Sequence, residues 1–436
     1  MKHKKPSIGL YKILFLLITI IFSFCLLGCG GNNKNASALS SIDSEQEGAN
    51  SNQKEETSSQ YQQETVEEHK EPVIRQALLS FTGDLMVHSY QYEESYDSAT
   101  GTYEFDHNFE AVKKYFDKAD YILGNLETVL GGDEIGAQDF PCFNTPDSFA
   151  VAAKNAGFDF FTTANNHCMD QGTDALCRTL DVLDSLGIKH VGTNRSQEER
   201  NKVEITEING IKFVFLSYTY GTNGIPVKNE YNVNLLNESA VKNDITKAKS
   251  LNPDFIVVMP HMGTEYVTEP TEEQKKWVDF MFQCGADIIV ASHPHVLEPM
   301  EVREITEPDG TTRKGYVMYS MGNFISSQTT PPRNASIILN IAVEKIDDNP
   351  AEITNVSFIP IWTQFRNGSN VNDFVVRSVY DVLTDSEKEA KYRAKDLARV
   401  NDIHYETTSL LLNRDVPIEE IQEEYTFYER QEKLNA

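Results

Sequence analysis

The sequence predicts an α/β protein with a mixed sheet system covered by helices. Three observations carry this reading. Between Ala77 and Ala291, short apolar runs alternate with segments of helical spacing, as in layered α/β folds. From Tyr316 to Pro360, three apolar runs follow one another without an intervening helix, so strands are expected to neighbour there. Past about residue 370 the chain becomes charged, helical and less apolar, which marks a helical C-terminal appendage. The expected organisation is therefore a leader at 1–29, a linker at 30–75, a folded domain at 76–369 and a tail at 370–436.

At the N-terminus, Lys2, Lys4, Lys5 and Lys12 accompany an apolar run from Ile13 to Leu27. This is the pattern of a secretory signal. The run falls short of the about 20 apolar residues needed to span a bilayer. It ends at Leu26-Leu27-Gly28-Cys29, which resembles the lipobox of bacterial lipoproteins, with Cys29 as the lipidated residue. The expectation is an extracytoplasmic lipoprotein held at the cell membrane by its acyl chains. Residues 30–75 are rich in Ser, Asn, Gln and Glu, and are expected to be a flexible spacer.

The folded part opens with a strand at Ala77–Thr82, helical spacing at Phe109–Phe116 and a strand at Tyr121–Leu126. A helix is expected at Ser148–Ala156, a strand at Phe158–Ala164, a helix at Asp174–Leu186 and a short strand at Lys189–Gly192. Asn209-Gly210, between Val203–Ile208 and Ile211–Ser217, is a strong hairpin signal. Helix Val241–Ser250, strand Phe255–Met259, helix Glu272–Cys284 and strand Ile288–Ala291 follow. Tyr316–Met321, Ser336–Val343 and Ile353–Pro360 read as strands, and Ser386–Arg399 and Ile418–Leu434 as surface helices.

Formal net charge is −27, and it becomes more negative once the lysines of the leader are removed. Such a chain is poorly suited to nucleic acid or to an anionic surface, and repels an anionic polymer unless cations intervene. Cys142, Cys168, Cys177 and Cys284 remain after the leader; no CxxC pair occurs, which argues against a thiolate zinc site. Disulfides and ordinary thiols both remain open.

The chemistry-bearing residues stand where expected strands end. Asp84 follows Ala77–Thr82, and Glu127 follows Tyr121–Leu126. Asn166 and His167 follow Phe158–Ala164, His261 follows Phe255–Met259, and His293 and His295 follow Ile288–Ala291. Ligands of open α/β sheets bind beyond the carboxyl ends of strands. Each residue alone has a plainer reading, as a cap, a turn residue or a loop histidine. Together they form one pocket, holding four of the ten histidines of the chain. Carboxylate, amide oxygen and imidazole suit one or two divalent ions such as Mn, Fe or Zn. Asp84, Glu127, Asn166, His261, His293 and His295 are the candidate ligands, with Glu127 bridging. His167 is then free for proton transfer or for stabilising a phosphoryl group. Asp170 either caps the following helix or supports His167; Glu265 and Tyr266 are candidates to line the pocket, with packing the alternative for Tyr266, and Asn323 either forms a turn or faces the same pocket.

These residues appear in the order of the calcineurin-like metallophosphoesterase motifs. The strings Phe-Thr-Gly-Asp-Leu-Met, Asn-Leu-Glu, Ala-Asn-Asn-His-Cys-Met-Asp-Gln-Gly, His-Met-Gly-Thr-Glu-Tyr, His-Pro-His-Val and Ser-Met-Gly-Asn-Phe-Ile resemble more closely the CapA family of capsule-synthesis proteins, linked to poly-γ-glutamate. They span roughly Leu78 to Ile325. The resemblance implies a four-layer α/β/β/α sandwich. It also implies a metal-dependent, phosphoesterase-like hydrolase acting on a capsule polymer, or instead a non-catalytic assembly or tethering factor. Its implied partners are an anionic capsule polymer or the synthase complex. Three positions depart from the pattern. Met86 stands where the wider superfamily has His, with His88 two residues on; Glu127 stands where that superfamily has Asp; Met262 stands where CapA-like proteins carry Trp.

Overall fold

The computed structural model describes residues 71–307, 309–365 and 374–430. The first stretch runs β1 (Ile74–Leu85), α1 (Ser89–Glu94), the small hairpin β2 (Tyr96–Asp97) and β3 (Thr102–Tyr103), then α2 (Lys113–Phe116). Next come β4 (Tyr121–Leu126), α3 (Asp147–Ala156), β5 (Phe160–Thr162), α4 (Gly172–Ser185) and β6 (Lys189–Val191). The middle holds α5 (Gln197–Asn201), β7 (Thr206–Ile208), β8 (Ile211–Thr219), α6 (Glu238–Ser250), β9 (Phe255–His261), α7 (Glu272–Cys284) and β10 (Ile288–Val290). Five strands follow: β11 (Met300–Thr306), β12 (Thr312–Met318), β13 (Asn323–Ile325), β14 (Ala335–Ile346) and β15 (Glu352–Gln364). The end is β16 (Val375–Ser378), α8 (Val379–Thr384), α9 (Lys388–Lys391), α10 (Ala394–Leu412) and β17 (Tyr425–Glu429).

Two mixed sheets result. The larger has the order β16-β15-β14-β1-β4-β5-β6, with β13 beside β1 and β17 beside β15. The smaller has the order β11-β12-β10-β9-β8-β7. Side-chain alternation along the strands explains the layering, because successive residues point to opposite faces. In β8, Phe213 and Phe215 join Leu79, Phe81, Leu123, Ile337 and Leu339 in a core shared by the two sheets. Val214 and Leu216 turn the other way, onto Val241 and Ile245 of α6 and Val278 and Met281 of α7. On the far side of the larger sheet, Phe149 and Ala153 of α3 and Leu183 of α4 pack on Leu85, Ile122 and Phe161. The order is helix, sheet, sheet, helix. Strands buried on both faces read as continuous apolar runs, which is why the sequence located them.

Local chemistry fixes the ends of several elements. The β7–β8 turn uses the expected pair, with Asn209 at φ 50° and Gly210 at φ 80°. Helix α7 starts with a capping box of Thr271 and Gln274 and stops at Gly285, φ 116°. None of the described helices is long and apolar enough to cross a membrane. The signal, Cys29 and the spacer to residue 70 lie outside the described residues. Cys142, Cys168, Cys177 and Cys284 are free thiols.

The C-terminal part carries the expected helical content in α8, α9 and α10. Val379 and Val382 of α8 pack with Val400 and Ile403 of α10 against Ala335 and Trp362 of the larger sheet. One expectation needs correction. Within Ile418–Leu434, the described residues form a single 3₁₀ turn at Ile418–Glu420 and then strand β17. Tyr425 stacks on Phe358 with ring centroids 5.6 Å apart, and β17 pairs with β15 in antiparallel register. The unpaired edge of β15 outweighs the helical tendency of a Glu-rich segment.

Candidate metal centre

Five strand ends deliver the site. Asp84 lies near the end of β1, where the pairing with β4 shifts register and β13 joins the other side. Gly83 is required there: a Cβ would stand 1.9 Å from the Gly322 carbonyl oxygen. Removing that side chain lets Asp84 N donate to Gly322 O at 2.9 Å. Glu127 follows β4, Asn166 follows β5, and His261 is the last residue of β9. His293 and His295 follow β10 in a loop where both residues are left-handed, at φ 108° and 59°. Backbone of this kind in non-glycine residues is strained by the order of 1–2 kcal/mol and clusters at functional sites.

The side chains converge in a buried cluster. Asp84 and Glu127 are both 0% exposed. His261 Nε2 lies 2.7 Å from Asn166 Oδ1 and 3.4 Å from Glu127 Oε1. Asp84 Oδ2 lies 3.2 Å from His295 Nδ1, and Glu127 Oε1 lies 3.9 Å from His295 Nε2. Two sets of potential ligand atoms emerge: Asp84, Glu127 and His261, and Glu127, His293 and His295, with the atoms of each set within 4.8 Å of one another. Glu127 belongs to both. Donor atoms about 2.1 Å from a common cation and at right angles lie about 3 Å apart, close to several of these separations.

Polar satisfaction gives an independent test of whether the cluster suits a cation. Asp84 Oδ2, both carboxylate oxygens of Glu127 and His293 Nδ1 are buried without a hydrogen-bond partner. Buried polar groups are normally paired, and several orphaned acceptors around one point fit a divalent ion. Supporting residues hold the ligands in place. Asn125 Nδ2 donates to Asp84 Oδ1 at 2.8 Å and sits 3.3 Å from His261 Nδ1. Ser292 Oγ is 3.1 Å from His261 Nδ1. Asn323 Oδ1 lies 3.0 Å from His295 Nδ1; as a pure acceptor it fixes a proton there and aims Nε2 at Glu127.

The electrostatics follow from burial and charge. Burial raises the Asp84 carboxyl, but His295, His261 and Asn125 outweigh it and hold the pKa at about 2. Burial and the adjacent Asp84 charge push Glu127 well above the ordinary carboxylate range. Burial lowers His261 to about 3 and His293 to about 2, so both imidazoles keep their lone pairs at neutral pH. Burial also opposes charge on His295, yet Glu127 and Asp84 prevail and raise it to about 9. The negative charge of the Asp84–Glu127 pair thus retains a proton on His295, charge that a bound divalent ion replaces.

The remaining predicted residues surround this cluster. His167 Nδ1 lies 2.7 Å from Asp170 Oδ2, which also accepts from Phe143 N at 2.7 Å. Phe143 packs edge-on against the His167 ring, with centroids 4.7 Å apart. Burial disfavours the charged imidazole, but Asp170 and Glu127 raise its pKa overall. Glu265 is exposed, and its charge acts on His261 and His295. Met86 is buried, while His88 belongs to neither ligand set; its Nδ1 faces Ser327 N at 3.4 Å. Sequence reasoning missed Asn125, Ser292 and Tyr220. Asn125 is a polar residue inside a buried strand, and Ser292 directly precedes His293; both were findable signals. Tyr220, 4.6 Å from the His293 ring, carried none.

The family described as Bacterial capsule synthesis protein PGA_cap matches residues 78–328. Capsule biosynthesis protein CapA of Bacillus anthracis is 27% identical over 329 residues, covering 73% of this chain and 75% of that protein. PGA biosynthesis protein CapA of Bacillus subtilis is 29% identical over 283 residues, covering 64% of this chain and 70% of that protein. Among solved structures, the NAD nucleotidase of Haemophilus influenzae aligns at TM-score 0.41 and 15% identity, over 78% of this chain and 64% of that one. The calcineurin-like phosphoesterase YfkN of Bacillus subtilis aligns at TM-score 0.41 and 14% identity, over 76% of this chain and 99% of that one.

Proposed function

The chain belongs to the PGA_cap family of bacterial capsule synthesis proteins, and from that premise we propose that it is a metal-dependent hydrolase of phosphoesterase type. It acts in the synthesis, processing or anchoring of a capsule polymer such as poly-γ-glutamate, outside the cytoplasm, tethered to the membrane through a lipid on Cys29. The observation that carries the hydrolase reading is the pair of buried ligand sets sharing Glu127.

Asp84, Glu127, Asn166, His261, His293 and His295 are the residues that would hold one or two ions, of Mn, Fe or Zn. A divalent ion in such a site supplies an activated water and polarises a phosphoryl or acyl oxygen. The protein residues do the rest. Asn125, Ser292 and Asn323 fix the imidazole orientations. Asp170 holds His167 Nδ1, which presents Nε2 as the proton donor for a leaving group. Phe143 covers the His167 ring and limits water beside it. The test is elemental analysis of the purified protein and of an Asp84→Ala, His293→Ala double variant, followed by a phosphodiester hydrolysis assay. Stoichiometric metal and hydrolysis, both lost in the variant, are expected; a wild-type protein that stays metal-free after reconstitution refutes the reading.

One observation favours a second reading, a non-catalytic assembly or tethering factor for an anionic polymer. Met86 fills with apolar volume the place of a histidine in the wider superfamily, and His88 does not replace it in either set. Polymer retention without turnover supports this reading, and its loss in EDTA assigns the contact to bridging cations.

A further inference from the structure

We propose that Arg333, stacked on Tyr266 at the mouth of the centre, is an anion-recognition arm that binds an oxyanion group, carboxylate or phosphate, of the entering substrate. The proposal rests on the hydrolase reading of the same site and adds the substrate class. The Arg333 guanidinium carbon stands 3.5 Å above the centroid of the Tyr266 ring. That ring is in turn 6.0 Å from the ring of His295. The cation is therefore two ring contacts from the buried ligand cluster. Tyr266 itself is 40% exposed, so the pair faces solvent on one side and the centre on the other.

Arg333 has no ionic partner among the described residues, as is also true of Arg75, Arg377 and Arg414, but of these four it is the one stacked on a ring that reaches His295. Arg178, Arg195, Arg303 and Arg313 each hold a carboxylate. Among the described residues, Arg333 makes no ion pair, although the chain has 66 acidic residues against 39 basic ones. Stacking occupies one face of the guanidinium and leaves its N–H edge free for bidentate contact with a carboxylate or phosphate. A protein of formal charge −27 needs a local cation to bring an anion to its mouth.

The arm is also built into the centre. The Arg333 carbonyl accepts from Asn323 Nδ2 at 3.1 Å, while Asn323 Oδ1 meets His295 Nδ1 at 3.0 Å. On the other side, Tyr266 N donates to Pro294 O at 2.8 Å, between the two loop histidines. Tyr266 is left-handed, φ 67°, a conformation a tyrosine rarely adopts. Tyr266 is thus tied by its backbone to the His293–His295 loop, and the Arg333 backbone is tied to His295 through the Asn323 side chain.

The experiment compares wild type, Arg333→Ala, Arg333→Lys and Tyr266→Leu by calorimetric titration with inorganic phosphate and, separately, with a short γ-linked glutamate oligomer. Each titration is run with Mn²⁺ and with EDTA, and metal content and thermal unfolding are measured on the same samples. Arg333→Ala should keep its metal and its unfolding temperature while losing about tenfold to a hundredfold in affinity for at least one anion. Arg333→Lys should recover part of the loss, since it restores charge without the planar fork. The anion that suffers identifies the group recognised. Equal affinity of wild type and Arg333→Ala for both anions overturns the arm, whatever the metal content, as does a wild type that binds neither. A wild type without metal refutes the hydrolase reading, and the EDTA titrations still decide the arm.

Discussion

Replacing Glu127 with Gln should reverse the order of stability of two proteins when metal is added. Both oxygens of Glu127 are buried without a hydrogen-bond partner. A buried acceptor without a partner costs about 1–3 kcal/mol, and a neutral amide is cheaper to bury than a carboxylate. The folded-state pKa lies well above the ordinary 4.5. Above pH 4.5 the unfolded chain releases this proton while the folded chain retains it, so wild-type stability falls as pH rises through that window. The variant escapes the fall. Without metal at about pH 7.5, Glu127→Gln should therefore be about 1–3 kcal/mol more stable and unfold roughly 2–6 °C higher. At pH 4.5 most of the advantage should vanish, because the wild-type carboxyl is then protonated in the fold and about half protonated in the unfolded chain.

Metal inverts the comparison. At a free ion concentration a hundredfold above Kd, the wild type gains about 2.7 kcal/mol. The amide of Glu127→Gln offers one neutral oxygen in place of a carboxylate shared by both ligand sets, so the variant gains less. Calorimetric unfolding in EDTA and in Mn²⁺, at both pH values, reads the four cases directly. The same rank order in EDTA and in Mn²⁺ refutes the argument that Glu127 is a cation ligand held at a cost to the empty fold.

Asn323→Leu should weaken metal binding about tenfold to a hundredfold by freeing the His295 ring, as measured by competitive chelator titration. Gly83→Ala should destabilise the fold by about 3 kcal/mol in chemical denaturation, because its Cβ would meet the Gly322 carbonyl. Glu298 is buried with Oε1 unpartnered, and burial raises its pKa to about 8. A raised carboxyl lowers stability as pH climbs from 4.5 to 8; Glu298→Gln, which keeps an acceptor for Gln274 Nε2, should remove about 2–4 kcal/mol of that slope in unfolding measured across the range.

Much of the layering was legible because burial on both faces makes a strand apolar throughout. Phe255–Met259 and Ile288–Ala291 announced β9 and β10 almost to the residue. Edge strands obey a different constraint and were harder to read. β11 carries Glu301, Arg303 and Glu304 within seven residues, since an exposed edge is protected by charge. β17 was read as helix for the same reason: Glu-rich composition describes solvent contact, whereas pairing with β15 is a long-range fact. Long-range pairing also extends β1 to Leu85, beyond the apolar run ending at Thr82, because β4 and β13 flank it there.

The site was legible in its ligands and only partly in its supports, where Asp170, Asn323 and Tyr266 were candidates without a defined contact and Asn125 and Ser292 were missed, and the difference is physical. A ligand must be Asp, Glu, Asn or His, and parallel strands must release it at their carboxyl ends, so type and position are both constrained. A support needs only to reach. Asn125 acts from inside β4, Asn323 from the start of β13, and Tyr266 from a loop residue with positive φ. These three meet the ligands from separate parts of the chain: Asn125 joins Asp84 to His261, Asn323 joins His295 to Arg333, and Tyr266 carries the Arg333 cation. Recognition of an anion by so acidic a chain then depends on supports rather than on ligands. Divergence in substrate among proteins with this ligand order should accordingly fall at positions such as 266 and 333, while 84, 127 and 293 stay fixed by the coordination they must supply.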